Sequence, residues 1–304
     1  MTDAASTSPP LVSVMMPAYN AGAYLREAID SALAQDYPAL EIIVVNDGST
    51  DDTAAVMASY GDRIRAIQHE KNQGIGATRN TALRASKGEF IAPLDADDIW
   101  LPGKISAQVA LMQQRPAVVL CHTGCEVFGS ETGDGPITHD VRQRIDGRCF
   151  EELFKRNGIV TSTAMFRTSA VPPDGFDGAL SPAEDYMMWL ELLGNAEAAY
   201  LPTVTTRYRR HEEQATGDKG KRVQIKACLA RLYALEQHHA TIDETSMMQL
   251  YHWVLDELHT CAYSRYWSAD YGTALLGFRK LVEHGRPVPV RHRMRAALAV
   301  MIGR

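Results

Sequence analysis

The chain has 304 residues, 45% of them apolar, and carries a net charge of -6 with a pI near 5.9. This is the composition of a globular protein of one large or two smaller domains, and it excludes a global basic footprint for nucleic acid. Five irregularly spaced cysteines imply reduced thiols in a cytoplasmic compartment, and no apolar run approaches the ~18–20 residues of a membrane span.

Residues 1–10 are polar, rich in Ser, Thr and Pro, and read as a flexible N-terminus without the pattern of a signal peptide. Residues 11–16 form a short apolar run stopped by Pro17, a buried first strand. Residues 22–35 place Ala23, Leu25, Ala28, Ile29, Ala32 and Leu33 at helical spacing, and Pro38 closes that element. Residues 40–45 are apolar without alternation, as in a parallel strand covered on both faces. Gly48 then permits a tight turn, with Ser49 or Thr50 able to cap a helix whose first turn holds Asp51 and Asp52.

A third strand over 63–68, a helix over 74–86, a fourth strand over 89–94, a helix over 102–114 and a strand over 118–121 continue the rhythm. Strands alternating with helices in this way mean repeated βαβ units, an α/β fold with a mostly parallel central sheet. Cys121 and Cys125 flank His122, but no second Cys/His pair follows at zinc-ligand spacing, so they read as core or surface thiols.

Residues 129–147 read as a surface loop, 149–156 as a short helix, 162–167 as a strand and 172–175 as a turn. A helix over 184–194, a β-rich stretch over 203–209 and a polar loop over 210–221 follow. Beyond them the chain is helical over 223–238, 247–267 and 271–284. The last two stretches look like one tetratricopeptide-type hairpin that must pack on the first domain or a partner. Residues 290–304 join five basic side chains to Met294, Leu298, Val300, Met301 and Ile302. They read as an ordinary helix, with peripheral contact to an anionic membrane surface as the alternative.

Chemistry concentrates at the strand ends. The fourth strand stops at Asp95, Asp97 and Asp98, three carboxylates that repel unless a cation sits among them. Asp98 can alternatively cap the helix after Trp100. A dinucleotide site wants a glycine-rich turn after the first strand, where Pro17-Ala18-Tyr19-Asn20-Ala21-Gly22 stands instead. No Gly-Lys-Ser/Thr phosphate loop is present, which argues against ATPases and GTPases. Tyr19 and Asn20 follow the first strand, Asp47 the second, and Asp95, Asp97 and Asp98 the fourth. In a parallel sheet those ends converge, and an aromatic, a carboxylate and a metal-binding pair suit a base, a ribose and a diphosphate. Arg79 can neutralise phosphate or hold Asp47. Each residue alone reads equally well as a cap, a turn or a surface ion pair; the joint placement is the signal.

The segments 12–20, 44–51, 72–74 with 77–80, and 94–98 resemble the family-2 glycosyltransferases of the GT-A fold, four motifs in order over about residues 11–211. The resemblance implies a base pocket lined by Pro17, Ala18 and Tyr19 beside Asn20, with Asp47 on the base and Arg79 supporting base or diphosphate. It places Asp95, with Ala96, near ribose or sugar, and Asp97 on Mn²⁺ or Mg²⁺ bridging the diphosphate. Glu184-Asp185 resembles the family's acidic pair, with Asp185 as general base and Glu184 beside it. Tyr208-Arg209-Arg210-His211 resembles its closing motif, with Arg209 on the diphosphate and His211 on the metal or a phosphate. Thr78 and Glu191 depart from the family pattern, Glu191 standing where an arginine often follows the tryptophan.

The expectation is a GT-A domain over 11–215 and a helical region over 216–304. The activity expected is that of an inverting, metal-dependent glycosyltransferase using a nucleotide sugar, most commonly a UDP-sugar. The acceptor would be a glycan, a lipid-linked glycan or a protein. Two rivals are a non-catalytic nucleotide-sugar-binding subunit and a nucleotidyltransferase.

Overall fold

In a computed structural model, residues 8–129, 138–140, 144–211, 220–238 and 242–302 are described. In chain order the elements are β1 (Val12–Ala18), α1 (Leu25–Leu33), β2 (Leu40–Asn46), α2 (Thr53–Ala58), β3 (Arg65–Gln68), α3 (Ile75–Ala85) and β4 (Phe90–Pro93). Next come β5 (Ile99–Trp100), α4 (Lys104–Gln114), β6 (Val118–Gly129), β7 (Thr138–Asp140), α5 (Phe150–Lys155), β8 (Met165–Arg167), α6 (Glu184–Leu193) and β9 (Glu197–Arg210). Four helices follow: α7 (Gly220–His238), α8 (Glu244–Trp267), α9 (Tyr271–Glu283) and α10 (Val290–Met301).

The described strands form one sheet in the order β3-β2-β1-β4-β8-β6-β9-β5, with β7 added on β6. The half that precedes the acidic cluster is parallel, β3 on β2, β2 on β1 and β1 on β4. Beyond it β8 runs antiparallel between β4 and β6, while β6 and β9 pair in parallel.

The unbroken apolarity of β1 and β2 has a structural cause. Met15, Ile43, Val45 and Ile91 enter one core, shared with Phe166, Trp189 and α7 to α9. Val12, Val14, Met16, Ile42 and Val44 enter a second core on the opposite face, closed by Leu25, Ala28, Ile29 and Ala32 of α1. Successive side chains of a strand point to opposite faces, so a strand covered on both sides loses its alternation.

Close approach fixes two glycines. A Cβ on Gly48 would stand 2.6 Å from the Lys71 carbonyl carbon, and the residue sits at φ +68. At Gly76 a Cβ would stand 2.6 Å from the Cα of Gly178, which brings α3 against the segment leading into α6.

Several expected elements differ. Ser49 and Thr50 cap no helix; α2 starts at Thr53, and Asp51 accepts from the Thr53 amide at 3.0 Å and hydroxyl at 2.5 Å. The strand expected over 118–121 runs 12 residues because β9 supports it along its length. Part of the 129–147 loop is β7, paired with β6; 130–137 and 141–143 lie outside the described residues. Of the 162–167 strand only β8 remains, since Thr161–Thr163 forms a 3-10 turn. Within the polar loop over 210–221, Arg210 closes β9, α7 begins at Gly220, and 212–219 lie outside the described residues. So do residues 1–7 and 303–304 of the two terminal stretches.

Asp98 is not a cap. It is fully buried, accepts from Ser162 Oγ at 2.6 Å and from the Arg209 amide at 2.9 Å, and so ties β4 to β9. The α8–α9 hairpin packs on α7, which in turn packs on α6. No helix among the described residues is long and apolar enough to cross a membrane.

Candidate active site

The parallel ladder continues past the strand ends and sets out the site. The Asp47 amide donates to Ala18 O at 2.8 Å, the His69 amide to Asn46 O at 2.9 Å and the Leu94 amide to Met15 O at 3.0 Å. The residues that follow β1, β2, β3 and β4 therefore stand side by side. A cleft of about 610 Å³ opens there, in the size range of small-ligand pockets.

Pro17, Ala18, Tyr19, Asn20, Asp47 and Arg79 line this cleft. Asp95, Ala96, Asp97, Glu184, Asp185 and His211 line it as well. Tyr19 is 51% exposed, an aromatic held open to solvent at the rim. Asn20, at φ 48, accepts from the Thr50 amide at 2.9 Å and clamps the loop after β1 to that after β2. Asp47 is buried; it accepts from the amides of Gln73 and Gly74, both at 2.9 Å, and faces His69 Nδ1 at 2.7 Å. This binds the loop before α3 to the end of β2.

Arg79 is the buried hub. It donates from Nη1 to Glu184 Oε1 at 2.5 Å and from Nη2 to Asp95 Oδ1 at 2.9 Å. Burial opposes its charge, yet Asp95, Glu184 and Asp185 hold its pKa above the ordinary value. Burial pushes the Glu184 carboxyl upward against the pull of Arg79. Arg79 Nε and Glu184 Oε2 are buried without a hydrogen-bond partner.

Glu184 and Asp185 open α6, where the helix dipole favours acids. Neighbours in sequence, they have different partners. Glu184 goes to Arg79, whereas Asp185 Oδ2 accepts from Thr161 Oγ1 at 2.6 Å and Oδ1 from the Tyr186 amide at 2.6 Å. Tyr186 anchors that turn from behind: its hydroxyl lies 2.9 and 2.7 Å from the carbonyls of Leu153 and Phe154 and accepts from Arg231 Nε of α7 at 3.0 Å.

Asp97 Oδ2 and His211 Nε2 are 3.0 Å apart, and His211 Nδ1 is buried without a hydrogen-bond partner. Burial and then the Asp95 charge push the Asp97 carboxyl upward, while His211 pulls it down. Asp98, fully buried, is pushed well up by burial and by both neighbouring aspartates. Among the described residues no trio of His, Cys, Asp or Glu closes around one point. The donor set nonetheless fits a hard divalent cation, because Mg²⁺ is usually held by one or two carboxylates with phosphate oxygens and water completing the shell.

Arg209 stands apart from the cleft lining. Its Nε donates to the Asp97 carbonyl at 2.8 Å, its Nη2 lies 3.0 Å from Glu27 Oε2, and its guanidinium stacks on Tyr24 and Phe128.

Sequence reasoning missed the 3-10 turn Thr161–Thr163. Besides the Thr161 contact with Asp185, Ser162 Oγ accepts from the Asp95 amide at 3.1 Å and donates to Asp98, and its carbonyl accepts from Trp100 Nε1 at 2.8 Å. One turn thus positions carboxylates from two distant motifs. Three consecutive hydroxyls before an apolar strand were the available signal. His69 on Asp47 and, in the cleft lining, Tyr24 and the segment 157–160 were also missed, and apart from the Asn157-Gly158 turn pair nothing in their sequence marks them.

The sequence profile of Glycosyl transferase family 2 matches residues 13–171. An uncharacterised glycosyltransferase of Rickettsia typhi is 32% identical over 69% of this chain and 67% of its own length. The Escherichia coli UDP-Glc:alpha-D-GlcNAc-diphosphoundecaprenol beta-1,3-glucosyltransferase WfgD is 30% identical over 74% of this chain and 90% of its own. Some relatives are longer; the alignment spans 32% of one from Rickettsia bellii. In fold, the chain is similar to Staphylococcus aureus TarS (residues 1–349, in complex with UDP-GlcNAc), with a TM-score of 0.70 over 93% of this chain and 82% of that one at 19% identity. The fold is the GT-A fold, and the chain belongs to glycosyltransferase family 2.

Proposed function

We propose that this glycosyltransferase is an inverting, metal-dependent enzyme that moves a sugar from a UDP-sugar to a hydroxyl of a lipid-linked saccharide. The observation that carries the reading is the division of labour in one cleft. Tyr19, Asp47, Arg79, the Asp97–His211 pair and Asp185 all line it, and Asp185 is held by Thr161 while Arg79 holds the neighbouring Glu184. The UDP-glucose donor and diphosphoundecaprenol-linked acceptor of the Escherichia coli relative support the donor class and the lipid-diphosphate acceptor.

In this reading Tyr19 stacks on the base and Asp47 accepts from it. Asp97 and His211 would hold Mn²⁺ or Mg²⁺, which would supply positive charge for the leaving diphosphate. Asp185 takes the proton of the acceptor hydroxyl. The acceptor oxygen forms its bond to the anomeric carbon as the bond to the donor phosphate oxygen breaks, and that electron pair leaves with the nucleoside diphosphate. Glu184 is engaged by Arg79, so a single carboxylate serves the acceptor side. A direct displacement needs one base and inverts; a double displacement needs a nucleophile as well.

The test is a panel of nucleotide sugars incubated with purified protein, Mn²⁺ and a diphosphate-lipid-linked saccharide. The expected result is release of UDP and an extended saccharide. Release of pyrophosphate, or nucleotide binding without turnover of any donor, overturns the proposal.

A further inference from the structure

α10 is amphipathic in the reverse of the usual sense. Ala296 and Ala299 are its buried residues, and His292 points inward to the rings of Tyr266 and Tyr263 on α8, at 5.0 and 5.6 Å. The large apolar side chains face out. Val290, Met294, Leu298 and Met301 are 58%, 67%, 60% and 83% exposed. Their spacing of four, four and three residues puts them on one stripe of the helix. Trp267, at the end of α8, is 69% exposed, and its ring lies 6.0 Å from that of His292.

Scattered exposed apolar residues need no explanation, but a continuous stripe does. Charge indicates what covers it. Arg291 and Arg295, both exposed, border the stripe on the same helix, Arg295 lying over the rings of Tyr266 and Tyr271, whereas Arg286 ahead of the helix is paired with Asp256 at 3.1 Å. No acidic residue follows Glu283 in the sequence, although the chain as a whole carries -6. An apolar stripe edged by arginines matches the boundary between anionic headgroups and acyl chains, where the apolar face sinks in and the cations stay at headgroup level. An obligate interface with a second copy would set the arginines of one helix against those of the other, a like-charge contact.

We propose that the outward face of α10, with Trp267 beside it, docks the enzyme on an anionic phospholipid surface. The proposal does not depend on the identity of donor or acceptor. No α10 residue lines the cleft, so surface binding and donor turnover are separable.

The test is flotation of the full chain with vesicles of phosphatidylcholine alone and of phosphatidylcholine with phosphatidylglycerol. Wild type is expected to float with the anionic vesicles and to stay below with the neutral ones. The variant M294E/L298E alters exposed positions only and is expected to bind at least about tenfold more weakly. R291Q/R295Q is expected to weaken binding and flatten its salt dependence, because screening then has fewer charges to act on. UDP release from a soluble donor by M294E/L298E, equal to wild type, reports an intact fold. Three results overturn the proposal: no binding of wild type to anionic vesicles, equal binding by M294E/L298E, or an oligomer in sedimentation velocity that M294E/L298E dissociates while wild type binds no vesicle.

Discussion

Arg79 Nη1 and Glu184 Oε1 meet at 2.5 Å across 105 positions of sequence, both side chains about 3% exposed. The contact joins α3 to the first turn of α6 and fixes the height at which Asp185 stands. Removing one partner leaves a buried charge without compensation. Arg79→Met is expected to lower stability by about 3–5 kcal/mol, whereas R79M/E184M, which removes both charges, recovers much of that loss. Urea denaturation at pH 7 measures both. Equal losses in the single and double variants would show that the pair is not what the fold depends on.

Variants of the Asp97–His211 pair test whether it holds the proposed metal. With Asp97→Asn, UDP is expected to bind with the same affinity with or without Mn²⁺, while wild type binds more tightly with the ion. His211→Gln is expected to keep the Mn²⁺ effect with roughly tenfold weaker metal affinity. Titration calorimetry with EDTA-treated protein gives both numbers. A Mn²⁺ enhancement retained in full by Asp97→Asn assigns the ion elsewhere.

Asp185 and Thr161 test the acceptor side. Asp185→Asn is expected to lower kcat by about 10²–10⁴, the range of a lost general base, with donor affinity preserved. Thr161→Val removes the hydroxyl that donates to Asp185 at 2.6 Å and is expected to lower kcat about tenfold with the donor KM unchanged. Steady-state kinetics on the extended saccharide distinguish these effects from misfolding, which would reduce active-site concentration without this split.

His122 sets a pH dependence far from the cleft. It is 1% exposed in β6, Nε2 donates to Ile145 O at 3.0 Å, and burial lowers its pKa to about 4. Between the unfolded value of 6.5 and about 4 the unfolded chain binds a proton that the folded chain does not, so stability falls as pH falls. The loss attributable to this residue is about 2 kcal/mol at pH 5. Buried carboxylates pushed upward, Glu184 and Asp98 among them, act in the opposite direction. The readout is therefore the difference in acid slope between wild type and His122→Gln, whose amide can still donate to Ile145. Identical slopes would overturn the assignment.

The sequence made the parallel half of the sheet legible because β1, β2 and β4 are closed apolar runs followed at once by their polar residues. Tyr19, Asp47 and Asp95 were findable for that reason. The other half was not. β6 and β9 are long because they pair with each other, a contact between positions about 80 residues apart, and no local pattern encodes it. Ser162 and His69 escaped for a related cause: their importance lies in partners supplied by other segments, Asp98 and Asp95 for the first and Asp47 for the second. Asp98 looked like part of the metal cluster or a cap. Its burial, a tertiary property, makes it a strut between β4 and β9 instead.

The core on the α6 side of the sheet has a consequence for how the molecule can be divided. Met15, Ile43 and Ile91 of the sheet, Trp189 of α6, and Ile225, Leu258 and Phe278 of α7, α8 and α9 belong to one continuous apolar cluster. The family profile ends at 171, before α6, but the packing does not stop there. Such a cluster is expected to melt as a single cooperative unit. The helices beyond β9 are therefore not expected to detach as a unit, and exchanging them for those of a relative would require refitting the floor beneath Asp185 at the same time.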